Sequence, residues 1–458
     1  MQHVTADNNT LTISPLPRVR AKRISVGYLS SRGVLIGEND PAIVYCRSPL
    51  PALRLARKHG GTGIVARTAG SSRWLRFHIG SVTVLPGITT DDIEEIIGWR
   101  DYCYEIGISA RSIQSMAFYL MRQSLAGYFK VSRGRELPWH RFPTGARMQA
   151  RSGIYENVIQ SDIRAAYLWG IGRLTPASVF SQSGRRLHPE TIAETPGAFA
   201  LVKYRYPFTA SWGSVPDFSD NGTTIFPEIK SDWGDPILLS SSDIYCGLAA
   251  GARFRILKSW LPAYAPTEPF SSFMHEVYKL REKFPNIAKQ AGNTLWGSFC
   301  ASSELSLVRF NAGTGHHKAT KIPARTMLAA PIGYTVISAL RSRLFMEGIG
   351  GTTIHAHTDG IISPRPVPFL DPNTIGGWRI AGRYRLVEIL SPSWYRLIGE
   401  NGEESYRMAG RADSGRTAAR IFAHNRDKVL SEEQKSGFLR ELEDATDTTR
   451  NGRYRHGA

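Results

Sequence analysis

The stretch IHAHTDGIIS, Ile354 to Ser363, sets a Thr-Asp-Gly turn between two short runs that end in apolar residues. Turn chemistry of this kind between alternating residues predicts a hairpin of two short strands. A chain with this hairpin needs a sheet to receive it, and it carries a carboxylate, Asp359, at the bend. His355, His357 and Asp359 alternate, so in an extended strand they would point to one side. Two imidazoles and a carboxylate on one side are a ligand set that zinc accepts. A magnesium phosphoryl-transfer site would need only the aspartate, with carboxylate partners elsewhere. The stretch alone leaves both chemistries open.

Two further segments carry chemistry. In VIQSDIRAAYLW a β-like run, Val158 to Gln160, ends at Ser161-Asp162 and a helical pattern starts at once. Asp162 reads either as a helix cap or as a carboxylate fixed at a strand end. In FMHEVYKLREKFPNIAKQAGNTLWGSF, Phe273, Val277 and Leu280 define the buried side of one helix, and a second follows a turn at Pro285-Asn286. Lys289, Asn293 and Trp296 are spaced by four and three, which puts them on one helical face. Arg281 and Lys283 stand at the end of the first helix. Such a stripe suits a nucleoside triphosphate, and it is also an ordinary solvated face with one buried tryptophan.

The net charge of +18 favours a polyanionic partner, nucleic acid first. No apolar run approaches membrane-spanning length and the amino terminus lacks a signal-peptide layout, so a cytoplasmic location without membrane contact is expected. The four cysteines are scattered, as reduced thiols would be, and no zinc finger is expected.

Residues 1–105 read as a small α/β domain: RISVGYL, GVLIGE, AIVYC and GIVAR as strands, LPALRLARKHG as a helix with a glycine stop. Residues 106–152 read as an amphipathic helix capped by Ser109, then a basic loop carrying Arg133, Arg135, Arg141, Arg147 and Arg151. Beyond these, AFALVKYRYPF, TTIFPEI, PILLS, GGWRIAGRYRLVEIL and WYRLIG read as strands. SSDIYCGLAAG and IGYTVISALRSRLFMEGIGG read as helices, and the tail from about 413 as helical with the basic end NGRYRHGA.

In this order, the three segments resemble family B DNA polymerases. SDIRAAY looks like motif A, KQAGNTLWG like motif B (K-x-x-x-N-S-x-Y-G) and HAHTDGI like motif C (Y-x-D-T-D-S). GARMQA before motif A resembles the Y-x-G-G/A loop, and SPSWYRL resembles the K-x-Y element. The likeness covers about residues 110 to 410 and is nearest to the compact phage, plasmid and mobile-element branch, which includes protein-primed enzymes.

The resemblance implies an α+β right-hand fold. Its palm would take 153–270 and 301–385, its fingers 271–300, and its thumb and basic tail 386–458. Asp162 and Asp359 would be catalytic and would hold two Mg²⁺ ions (Mn²⁺ as a substitute), joined by the Ile163 carbonyl. Tyr167, Arg281, Lys283, Lys289 and Asn293 would bind the nucleotide. His357, Thr358, Tyr395 and Arg147 would contact primer and template. The partners implied are primer–template DNA and deoxynucleotides, with a terminal protein left open and a monomer expected. The departures are His357 where motif C has its first aspartate, Gly360 for serine, Thr294 and Trp296 in motif B, Pro143 in place of the loop tyrosine, and Ser393 in place of the K-x-Y lysine. The best D-x-E, Asp92-Ile93-Glu94, lies in a helical run, and 1–105 is too short for a full exonuclease, so no proofreading is expected. Two alternatives stand beside this reading. One is an impaired polymerase relic that binds DNA. The other is an HxH zinc hydrolase, although Gly360 stands where HxHxDH needs histidine and only His424 and His456 follow.

Overall fold

The computed structural model describes residues 24–413 apart from short internal stretches, together with 10–13, 419 and 422. The expected helical tail after 413 and the NGRYRHGA end lie outside the described residues.

The hairpin finds its sheet. His355–His357 and Gly360–Ser363 pair antiparallel about Thr358-Asp359. They belong to an eight-stranded sheet whose centre is Trp378–Ser391, Gly153–Ile163, Gly360–Ser363 and His355–His357. Asp162 lies opposite Gly360 on one side and opposite Arg379 on the other. Side chains alternate across a strand. Ile163, Ala356 and Ile361 therefore turn to one face and enter the main core with Leu168, Ile171, Val336, Leu340 and Trp378. Gln160, Asp162, His355 and His357 turn to the other face. Trp378 is 1% exposed, and burial of a side chain of this kind contributes about 1.5–3 kcal/mol. The sheet is thus fixed from its helical side; Val158, Ile362, Val387 and Tyr395 form a second buried cluster, and Ile362 shares the face of Asp162 and His357.

The helices behind the sheet are Ala166–Gly172 and Ala330–Arg343, with Ile113–Gln123, Ser271–Leu280 and Pro285–Phe299 in the same core. Pro285 opens its helix, where a missing N–H costs nothing. The amphipathic helix is capped by Ser112, whose Oγ accepts from Ser115 N; Ser109 lies outside the described residues. Asp162 is not a cap either: the strand runs on to Ile163, and Ala165, at φ 53°, makes the tight link into the helix.

In the chain between Asp162 and the helix pair comes a four-stranded sheet in the order Ala177–Ser183, Arg253–Tyr264, Phe199–Arg205, Ile237–Ser240. It has its own core of Ala200, Val202, Tyr204, Leu239 and Ile244. Of the expected strand TTIFPEI, only Thr224–Ile225 is extended, paired with Asp217–Phe218.

The first hundred residues form strands Val26–Leu29, Leu35–Gly37, Ile43–Cys46, Thr62–Thr68, Ser71–Ile79 and Val82–Pro86 around the helix Pro49–Lys58. That helix stops before Gly60, at φ +68°, a conformation that glycine adopts without strain. Residues 304–323 differ from expectation. Glu304–Asn311 pairs with Thr62–Thr68, and His317–Pro323 follows it. This hairpin extends the amino-terminal sheet and not the sheet of Asp359. Partners some 240 residues apart leave no local signal.

Among the described residues no helix is long and apolar enough to cross a membrane.

Candidate active site

The hairpin bend is held from both sides. Thr358 N donates to Arg147 O at 2.8 Å, and Ile163 N donates to Asp359 O at 2.8 Å. Asp359 N closes on His357 O at 2.8 Å, a three-residue turn, and Thr358 sits at φ 61°. A β-branched residue at positive φ is strained, and such strain concentrates where the surroundings over-determine the backbone. The reward here is placement: the Asp359 carboxylate stands beside the end of the Asp162 strand. Gly360 makes this approach possible. A Cβ there would lie 3.0 Å from Ser161 O and 3.4 Å from the Asp162 Cβ.

The two carboxylates feel one another. Burial and the Asp162 charge push the Asp359 carboxyl up to about 6, while Lys289 and Arg379 pull it back. Asp162 is gripped by Arg379: Nε to Oδ1 is 2.7 Å and Nη2 to Oδ2 is 3.1 Å. Arg281 completes a basic rim. Burial lowers the proton affinity of its guanidinium, and the like charges of Arg164 and Arg379 act in the same direction. Tyr278 carries Arg164 at 5.3 Å and Arg281 at 5.9 Å over its ring. Two acids therefore face two cations, Lys289 and Arg379, and Arg281 and Arg164 stand behind Arg379 around Tyr278.

An aromatic pair lies beside this centre. The Tyr167 and Trp296 rings stack at 4.8 Å and 6°. Farther along the same face, His355 is 2% exposed, with Nε2 2.8 Å from Pro392 O and its ring 4.6 Å from that of Tyr395. Burial pushes its imidazole down to about 4. His357 Nδ1 is 2.9 Å from Thr358 Oγ1, and burial also lowers its pKa. Arg407 lies opposite Tyr395 in register and adds its charge beside His357.

No protein-family model matches the sequence, and no curated protein matches it. Solved structures do. Phi29 DNA polymerase in an orthorhombic crystal form aligns with a TM-score of 0.52 at 12% identity, over 81% of this chain and 81% of that one. Its complex with primer-template DNA aligns at 0.55 and 12% identity, over 81% and 83%. Its complex with primer-template DNA and incoming nucleotides aligns at 0.54 and 12%, over 83% and 87%. The chain therefore shares the fold of phi29 DNA polymerase.

Within this fold the expected residues separate into groups. Asp162, Asp359 and Lys289 meet at one centre, with Arg281 one step out beside Arg379, and Tyr167 stacks on Trp296. Asn293 lies half-buried on the Lys289 helix, and the Ile163 side chain is in the core, so only its backbone faces outward. Lys283 is exposed in the turn between the two helices, without a described contact to the carboxylates. Tyr395, 6% exposed, packs on His355 on the same face as His357, and the Thr358 backbone is committed to the bend.

Arg147 is a correction. It is 0% exposed and donates to Gln149 Oε1, Gly213 O and Ser214 O, so it cannot touch a primer or template. Its guanidinium lies 4.0 Å over the Phe226 ring. It is the strut that carries Thr358. The zinc reading also loses ground. The His355 Nε2 is taken by Pro392 O, and among the described residues no three of His, Cys, Asp or Glu are placed to hold a metal ion.

Sequence reasoning missed Arg164, Arg379 and Arg407. Arg164 stood two residues after Asp162 inside the quoted motif. Arg379 and Arg407 depend on strand register, for which the sequence offered no marker.

Proposed function

We propose that the protein is a DNA-directed DNA polymerase of the family B type, extending a primer 3′-hydroxyl with deoxynucleotides. The observation that carries this reading is the Asp162–Asp359 pair, joined by strand pairing and faced by Lys289 and Arg379, with Arg281 beside Arg379.

The donor set fits Mg²⁺. That ion accepts one or two carboxylates and completes its octahedron with phosphate and water oxygens. Asp162 and Asp359 would hold it, with the Ile163 carbonyl at hand; Mn²⁺ suits the same oxygens. When bound, the two ions supply charge stabilisation to the attacking and leaving oxygens of an in-line displacement.

The chain's own residues do the rest by position and charge. Lys289 and Arg281 neutralise the triphosphate, and Asn293 lines its pocket. The stacked Tyr167 and Trp296 form a floor under the sugar, where a 2′-hydroxyl meets the Tyr167 ring. The 3′-oxygen of the primer bonds to the α-phosphorus and pyrophosphate leaves, its charge taken up by the same cations. His357 and the exposed Arg407 line the path of the primer strand, and the buried Tyr395 supports that surface through His355. Arg407 supplies the positive charge that Ser393 does not.

The reading includes no proofreading. Asp92 of the D-x-E caps the helix Ile93–Glu105, accepting from Glu94 N and Glu95 N. Glu38 is tied to Arg100 at 2.5 Å, and Glu95 accepts from Asn286 N and Ile287 N. These acids are engaged in structural bonds. Phage, plasmid or mobile-element origin, priming by a terminal protein and a monomeric state remain part of the proposal.

Incubation of the purified protein with a 5′-labelled primer–template, deoxynucleotides and Mg²⁺ tests both parts. Stepwise lengthening is expected, and no shortening when nucleotides are withheld. A protein that shortens the primer overturns the second part; one that never lengthens it overturns the first.

A further inference from the structure

The cross-strand position of Arg379 has a chemical consequence that the polymerase reading does not use. Its guanidinium occupies both oxygens of Asp162 in a bidentate pair, at 2.7 and 3.1 Å. The fork geometry engages both carboxylate oxygens at once. Those oxygens are the ones a divalent ion would need. The Arg379 side chain is 46% exposed and that of Asp162 24%, so the pair lies at the open face of the sheet. Pairs so exposed hold weakly and exchange with other cations.

The backbone beneath is fixed. Trp378 is buried, and its Nε1 donates to Glu347 Oε2 at 2.8 Å. The Arg379 side chain, 46% exposed, has solvent on one side. Arg281 lies near enough to feel its charge, and Tyr278 and Asp359 lie beside it.

We propose that Arg379 is an exchangeable counter-ion. It holds Asp162 in place when no metal is bound, and a divalent ion must displace it to load the site. It is a positioning residue for Asp162 and a competitor for the metal. The proposal rests on the reading of Asp162 as a metal ligand. A site that is closed for most of the time binds with an apparent affinity reduced by the open fraction. Removing Arg379 should therefore tighten metal binding.

The test is titration of the full-length protein with Mn²⁺, without DNA or nucleotide, read by the electron paramagnetic resonance of free Mn²⁺. Wild type, Arg379→Ala, Arg379→Gln, Arg379→Lys and the double variant Arg379→Ala/Asp162→Ala are compared. Arg379→Ala and Arg379→Gln are expected to bind about tenfold tighter than wild type, with Arg379→Lys between. The double variant should lose the gain. Arg379→Gln keeps size and polarity should the alanine variant fold poorly. Equal or weaker binding by both neutral variants overturns the proposal, as does a gain that survives in the double variant. Primer extension separates this outcome from failure of the polymerase reading. Tighter Mn²⁺ binding without extension by wild type sinks only that reading; extension with unchanged Mn²⁺ binding sinks only this one.

Discussion

The Tyr167 ring lies flat on the Trp296 ring, 4.8 Å away and 6° from parallel. Tyr167 stands on the helix that follows the Asp162 strand and Trp296 on the helix of Lys289, so the stack locks two parts of the site together. Stacked pairs of this kind contribute about 0.5–1.5 kcal/mol beyond the area they bury. On the proposed function their exposed surface meets the sugar. Tyr167→Val is expected to raise ribonucleotide incorporation relative to deoxynucleotide by about 10² or more, a discrimination that steric exclusion readily supplies. Single-nucleotide insertion kinetics with dCTP and CTP measure the ratio.

Asp243 and Arg341, each 1% exposed, form a buried pair at 2.6 Å behind the site. Ser338 Oγ also donates to Asp243, and Arg341 reaches Pro143 O on the loop before Asp162. Breaking one side of such a pair leaves an uncompensated buried charge, at about 3–5 kcal/mol. Asp243→Ala should lower unfolding stability by that amount. The double change Asp243→Leu/Arg341→Met should recover most of it. Urea unfolding followed by circular dichroism gives both values.

Thr358 at φ 61° stores strain in the bend that presents Asp359. Glycine adopts that conformation freely, so Thr358→Gly is expected to raise unfolding stability by about 1 kcal/mol. The bend becomes less fixed, and turnover should fall at the same time. Denaturant midpoints and extension rates on one preparation test the opposed signs.

His355 titrates at about 4 in the folded protein, because burial disfavours its charge; the unfolded value is near 6.5. Between these values the unfolded chain binds the proton and the folded one does not. Its contribution to stability is complete above about pH 6.5 and is lost as the pH falls towards 4, about 2 kcal/mol of it by pH 5. Tyr395, His357 and Pro392 O face the ring. His355→Phe should flatten the fall in unfolding stability between pH 7 and pH 5.

Local pattern reached a good part of this structure. The turn at Thr358-Asp359, the strand into Asp162, the helix pair broken near Pro285 and the glycine stop after Lys58 all follow from short-range rules of turn and cap. Residues brought together by pairing were harder. Arg379 meets Asp162 only because Trp378–Ser391 takes one register against Gly153–Ile163, with a bulge at Gln160/Ser161. The pairing of Glu304–Asn311 with Thr62–Thr68 was hidden for the same cause. Arg147 misled because a basic loop residue is usually solvated, whereas here carbonyls of residues 213 and 214 and the Phe226 ring enclose it. Burial of a cation by backbone acceptors has no signature in one sequence.

The central claim is that Asp162 and Asp359 together carry nucleotidyl transfer. Primer extension by wild type, Asp162→Ala and Asp359→Ala, with folding of each checked by circular dichroism, tests it most directly. Wild type should extend a primed template with Mg²⁺, and each single change should lower the rate by about 10³-fold or more. Extension at wild-type rate by either variant, or none by wild type with Mg²⁺ or Mn²⁺, would contradict the account.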